Sequence, residues 1–162
     1  MFKLYYFKKP MNKSDVKGVL LNGLIAAIIS GLVGGAIDFL FYKINFSLEL
    51  GMFIICFAVG FRMKRGYKEY HILYPTLTFL FMLLGLLFDG LMYYMLYYMD
   101  FGSFFSYIST FEFYLQSLFS PIMQLIEVIK DYSLYKLVLA LVNVVIYFVV
   151  FQSCYKFVKG TL

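Results

Sequence analysis

The sequence has no tryptophan, one histidine, three prolines and two cysteines, and only 14% of its 162 residues are charged. Each scarcity excludes something. One histidine, His71, and two cysteines embedded in apolar runs do not assemble the four-ligand set of a structural zinc site. Cys56 and Cys154 give no disulfide framework and read as small buried apolar residues. The chain carries no G-x-S-x-G elbow, no H-E-x-x-H pair and no phosphate-cradling glycine loop. Asp38 and Asp89 also lack the flanking motifs that aspartyl protease chemistry in a membrane would need. The expectation is therefore a protein that is not an enzyme and uses no cofactor or metal.

The shortage of charge says more. Soluble domains are about 25% charged and about 45–50% apolar. Here 63% of residues are hydrophobic and the mean hydropathy is +0.83. The apolar residues come in long continuous runs, and a helical bilayer crossing needs about 20 of them. Barrel strands would instead alternate in polarity over short segments. Spanning segments must satisfy their own backbone hydrogen bonds, so continuous runs mean helices. The fold class read from this pattern is an all-α membrane protein, a bundle of four transmembrane helices.

Residues 1–17 form a basic head with Lys3, Lys8, Lys9, Lys13 and Lys17, and Ser14 is the expected N-cap of the helix that follows. The rest, 18–162, reads as a single transmembrane domain. Its first span, about 18–42, outruns the 7–15 apolar residues of a signal-peptide core, so it is read as retained. The others are expected at about 46–61, 72–98 and 134–155. Pro75 falls in the first turn of the third, where proline is tolerated. Tyr93, Tyr94, Tyr97 and Tyr98 near its end read as an interface belt.

The segment 102–130 differs. From Gly102 to Ser120 one helical face carries Phe104, Tyr107, Ile108, Phe111, Tyr114, Leu115, Leu118 and Phe119. The other carries Ser103, Ser106, Ser109, Thr110, Glu112, Gln116, Ser117 and Ser120, and only Phe105 and Phe113 break the division. This predicts an amphipathic helix lying in the membrane interface or over the bundle, between spans three and four. Pro121 is expected to end or kink it, with a second short helix over about 122–130.

Lysine and arginine placement sets orientation. The head, the loop 62–70 and the tail hold eleven of the fourteen basic residues; only Lys43, Lys130 and Lys136 lie elsewhere. Both termini are therefore expected inside, in a bacterial cytoplasmic membrane. Topology explains the +5 net charge, so no nucleic-acid partner is expected. Arg62, Lys64, Arg65 and Lys68 are candidates for headgroup contact, secondary to a role as a topology signal.

Two features invite function. Gly23, Ala27, Gly31 and Gly35 recur every four residues and make a smooth ridge, the kind that lets membrane helices approach closely. Packing within the bundle, against span two, is the plainer expectation; contact with a second copy or a membrane protein partner is the sharper one. The second feature is a set of intramembrane polar residues: Asp38, Asp89, Glu49 and Asn143. Charges in a membrane are costly and face the bundle or a wet cavity, where carboxylates can carry cations or protons. Asp89 and Asn143 each lie nine residues from the outer end of their spans, roughly 13 Å deep at 1.5 Å per residue, which predicts a hydrogen bond between them. Asp38 is shallower, with Lys43, a tyrosine hydroxyl or water as its expected partner. The leading functional expectation is a non-enzymatic subunit or assembly partner working through helix contacts in the lipid bilayer. The alternative is a small cation- or proton-linked channel or transporter. A wet cavity reaching both aspartates would favour the alternative.

Overall fold

The computed structural model describes residues 12–44, 49–69, 71–131 and 134–160. Most of the basic head, and the start of the second expected span at residues 46–48, lie outside the described residues. Among those described, every regular element is a helix: α1 Lys13–Lys43, α2 Gly51–Arg65, α3 Leu73–Tyr98, α4 Phe101–Ile108, α5 Phe111–Asp131 and α6 Leu134–Lys159. Three of them, α1, α3 and α6, are long and apolar enough to cross a membrane, which marks the chain as an integral membrane protein.

Local chemistry sets the helix ends. Asn12, not Ser14, caps α1: its Oδ1 accepts from the Ser14 amide at 3.1 Å. Asn12, two positions earlier, fills the cap role, and Ser14 becomes its client through a hydroxyl bond at 2.9 Å. The α2 helix starts and ends later than the 46–61 segment expected for span two, and at 15 residues it is about 22 Å long. It has no side-chain cap of its own. At the end of α3, Met99 turns into the left-handed region (φ 51°) and stops the helix. Asp100 then caps α4, accepting from the Ser103 amide at 2.8 Å.

The helix α3 is the hub, packing against all five others, while α1 packs on α2 and α3 alone. The small-residue ridge explains how closely. A methyl on Gly31 would strike the Gly85 carbonyl and Phe88, and one on Gly35 would strike the backbone of Asp89. Ala27 is fully buried and Gly23 faces Phe81 and Met63. The ridge is thus spent inside the molecule, chiefly against α3 rather than α2, because glycines on both α1 and α3 let those two backbones touch. The order of contacts, Gly23 to Phe81, Gly31 to Gly85 and Gly35 to Asp89, makes α1 and α3 parallel. The α2 helix runs the other way: its start meets Asp38 near the end of α1, and Gly66 just beyond its end meets Gly18. Lys64 lies over the Phe157 ring at 4.3 Å, which brings the ends of α2 and α6 together.

One end of the bundle is consequently basic, with Lys13, Lys17, Arg62, Lys64, Arg65 and Lys68 exposed. The other end holds Asp38, Glu49, Asp100, Glu112 and Glu127. Leu40 on α1, Phe57 on α2 and Tyr135 and Val145 on α6 are more than half exposed. Outward-facing apolar residues of this kind suit hydrocarbon rather than water.

The 102–130 segment departs most from expectation. It breaks at Ser109 and Thr110, whose hydroxyls donate to the carbonyls of Ser106 (2.7 Å) and Tyr107 (2.6 Å) and so compete with helix continuation. The kink expected at Pro121 is present: non-helical angles at Phe119 (φ −129°, ψ 28°), two residues before the proline, divide α5 into two helical parts, the second covering the short helix expected at about 122–130. The orientation is as expected in α4, where Phe104 is buried and Ser103 and Ser106 are exposed, but it is reversed in α5: Phe111, Tyr114 and Phe119 are exposed, whereas Gln116, Ser117 and Ser120 face the interior of the bundle. Phe113, which breaks the amphipathic pattern, is buried.

Candidate functional site

The inward polar face of α5 closes a cavity of about 340 Å³ at the acidic end of the molecule. Its wall includes Asp38 and Tyr42 from α1, Glu49 from the approach to α2, Asp89, Tyr93 and Tyr94 from α3, and Tyr147 from α6. From α5 come Gln116, Ser117, Ser120, Gln124 and Glu127. Tyr42 and Glu127 are exposed and stand at its rim. Among the described residues, four carboxylates line this space and no lysine, arginine or histidine does.

Each acid is held differently. Asp38 Oδ1 accepts from the backbone amides of Leu50 and Gly51, both at 2.9 Å. It supplies from another helix the cap that α2 lacks, and its charge complements the positive end of the helix dipole. The expectation that Lys43 would satisfy Asp38 is corrected: Lys43 lies instead over the Phe39 ring at 5.2 Å. Two free amides at a helix start are better placed than a lysine whose stem leads outward. Glu49 Oε1 accepts from the Ser120 hydroxyl and from Gln124 Nε2, the latter at 2.6 Å. This links the start of α2 to the kinked part of α5.

Asp89 is the least satisfied. Its Oδ1 is sealed from solvent with no hydrogen-bond partner, and it sits between Gly34 and Gly51. A methyl on Gly34 would lie 2.5 Å from that oxygen. The Asp89–Asn143 bond expected from matched depth is not made, although α3 and α6 are neighbours. Asn143 Nδ2 donates to Gln124 Oε1 at 3.4 Å instead. The reason is α5, which packs against both α3 and α6 and offers its own amide first. Ser117 Oγ, beside Gly90, is a second sealed and unpartnered oxygen in the same wall.

The tyrosines also differ from the expected belt. Tyr97 is exposed, but Tyr93 and Tyr94 turn into the wall. The Tyr94 and Tyr107 hydroxyls both donate to Gln116 Oε1, the second at 2.6 Å. Tyr147 donates to the Leu118 carbonyl at 2.6 Å, next to the kink. The headgroup candidates Arg62, Lys64, Arg65 and Lys68 are all exposed at the opposite end, remote from the cavity.

One structural acid escaped the sequence reading. Asp15 is 5% exposed, and its Oδ2 accepts from the amides of Lys68 (3.1 Å) and Glu69 (3.2 Å). Its signal was an acid among the lysines of the head. Gln116, Ser117 and Ser120 were visible as part of a polar stripe that was turned the wrong way, and Gln124 lay beyond its end. Cys56 and Cys154 are buried free thiols on adjoining helices, with Cys154 Sγ donating to the Cys56 carbonyl at 3.1 Å. Among the described residues no group of three or more His, Cys, Asp or Glu side chains is arranged to hold a metal ion.

Comparison with protein-family models, with curated proteins and with solved structures finds no match.

Proposed function

We propose that this protein is a cation-binding membrane protein of the channel or carrier type, with Asp38, Glu49 and Asp89 as its binding carboxylates. The observation that carries the reading is the single cavity into which α1, the α2 approach, α3 and α5 bring these acids. Intramembrane carboxylates facing a polar cavity are associated with ion and proton pathways. The acidic end of the molecule concentrates cations at the cavity mouth, and low-dielectric walls strengthen that field. The competing reading, a subunit working through its small-residue ridge, loses its main support because α3 already occupies the ridge.

In this reading α2 is a short fourth crossing, bounded by Arg62–Arg65 at one end and by the Asp38 cap at the other. The basic end, with both termini, faces the cytoplasm, and the cavity opens outward. The α5 helix is a membrane-embedded wall rather than an interfacial one: its apolar face meets lipid and its polar face meets the cavity. The test is cation and proton flux in liposomes containing the full chain. Asp89→Asn and Glu49→Gln should reduce flux. Unchanged flux in both variants, with the protein correctly inserted, would remove the proposal.

A further inference from the structure

Resting on that cation-site reading, we infer that the occupant of the cavity is a small organic ammonium ion, such as an aliphatic amine or diamine, rather than a metal ion. A hard divalent cation such as calcium or magnesium takes six or more oxygens, waters included, at about 2.0–2.6 Å. Here no metal-holding group occurs among the described residues, and two acids have already committed an oxygen: Asp38 to two amides, Glu49 to Ser120 and Gln124. What remains is a small number of single carboxylate oxygens. A donor-only group with several N–H bonds matches such acceptors better than a compact ion does.

The size of the space agrees. A cavity of about 340 Å³ is far larger than a stripped metal ion requires. It falls within the roughly 300–1,000 Å³ typical of small-molecule pockets. The aromatic wall agrees as well. Tyr42, Tyr93, Tyr94 and Tyr147 surround the acids, and the hydroxyls of Tyr94 and Tyr147 are already donated to Gln116 and Leu118. With their hydroxyls engaged, what these two offer the cavity is aromatic rather than polar, and ammonium groups are attracted to aromatic faces. Met52 and Leu86 add apolar wall for an alkyl chain. Asp89 Oδ1 and Ser117 Oγ, both buried without a hydrogen-bond partner, belong to residues of this wall. Among the described residues no basic side chain lines it.

The test is isothermal titration of the full chain in detergent, at fixed pH and ionic strength. The probes are putrescine, tetraethylammonium, sodium and calcium, with butanediol as a neutral control. Saturable binding of an amine is expected, unmoved by sodium, calcium or butanediol. Glu49→Gln, which keeps the shape and the Ser120 contact, should weaken it by roughly tenfold or more, as neutralising an enclosed charge partner does. Tyr93→Leu should weaken it too; it carries the comparison if Glu49→Gln does not fold. Binding of sodium or calcium without the amines would overturn this inference and leave the cation reading standing. Amine binding equal in wild type and both variants would place it elsewhere and overturn the inference. No saturable binding of any cation, together with unchanged flux in Asp89→Asn and Glu49→Gln, would overturn both.

Discussion

Asp38 and Asp89, on different helices, meet at the α-carbon of Gly51. A methyl there would lie 2.7 Å from Asp38 Oδ2 and closer still to Asp89 Oδ1. Gly51 is therefore the joint of the site: it lets α2 begin against α1 while both carboxylates approach its backbone.

The first prediction follows from that joint. Gly51→Ala should destabilise the protein by about 1–3 kcal/mol, as overpacking does, and should weaken any cation response. Gly102→Ala is the control, since its added methyl has no neighbour closer than 3.4 Å, and it should be neutral or better. Thermal unfolding in detergent separates the two. Equal effects would mean that crowding at Gly51 is not the cause.

Removing the cap on α2 tests Asp38. Asp38→Ala should cost about 1 kcal/mol, the usual loss of an N-cap, and should speed hydrogen exchange at the Leu50 and Gly51 amides. Asp38→Asn keeps an acceptor and should preserve most of that protection. If Asp38→Ala leaves both amides protected, the cap plays no part in holding α2.

Asp15 makes the corresponding clamp at the basic end. Asp15→Ala should release the 67–69 loop, and trypsin should then cut faster at Lys68. Unaltered cleavage would show that the two amide bonds do not hold the loop.

The kink in α5 leaves the Leu118 carbonyl to Tyr147. Tyr147→Phe removes that donor, at a cost of about 1–3 kcal/mol if the carbonyl stays buried and unpaired. It should also shift Ser120 and Gln124 relative to Glu49. A variant as stable as wild type would mean that water replaces the hydroxyl.

Outside the spans, the Ser103 amide bond holds the Asp100 carboxyl below the usual aspartate range. A depressed group stabilises the fold above its unfolded value and loses that contribution as pH falls through the folded value. The Ser103 amide resonance should therefore titrate with a midpoint below that of an ordinary aspartate, and should not titrate in Asp100→Asn. A midpoint at or above the ordinary value would contradict the cap.

How much of this was legible in the sequence differs by element. The helices at 73–98 and 134–159 match their expected spans closely, because hydropathy over about 20 residues is a local property. The Asp89–Asn143 pair was misread because depth along a helix follows from counting residues, whereas azimuth does not. The α5 stripe was misread for a related reason. Periodicity tells which residues share a face, but in lipid an apolar face can point outward, the reverse of a soluble protein.

The sequence by itself determined that the chain is helical and built for a membrane, that its charge is polarised and that small residues line one face of α1. These follow from local composition and from the cost of unpaired backbone in lipid. Only the tertiary structure decided that the ridge is consumed by α3, that α5 turns its polar face inward, and that Asp38, Glu49 and Asp89 share one cavity. Each depends on which helix faces lie opposite one another, and that is settled by packing between segments distant in the chain.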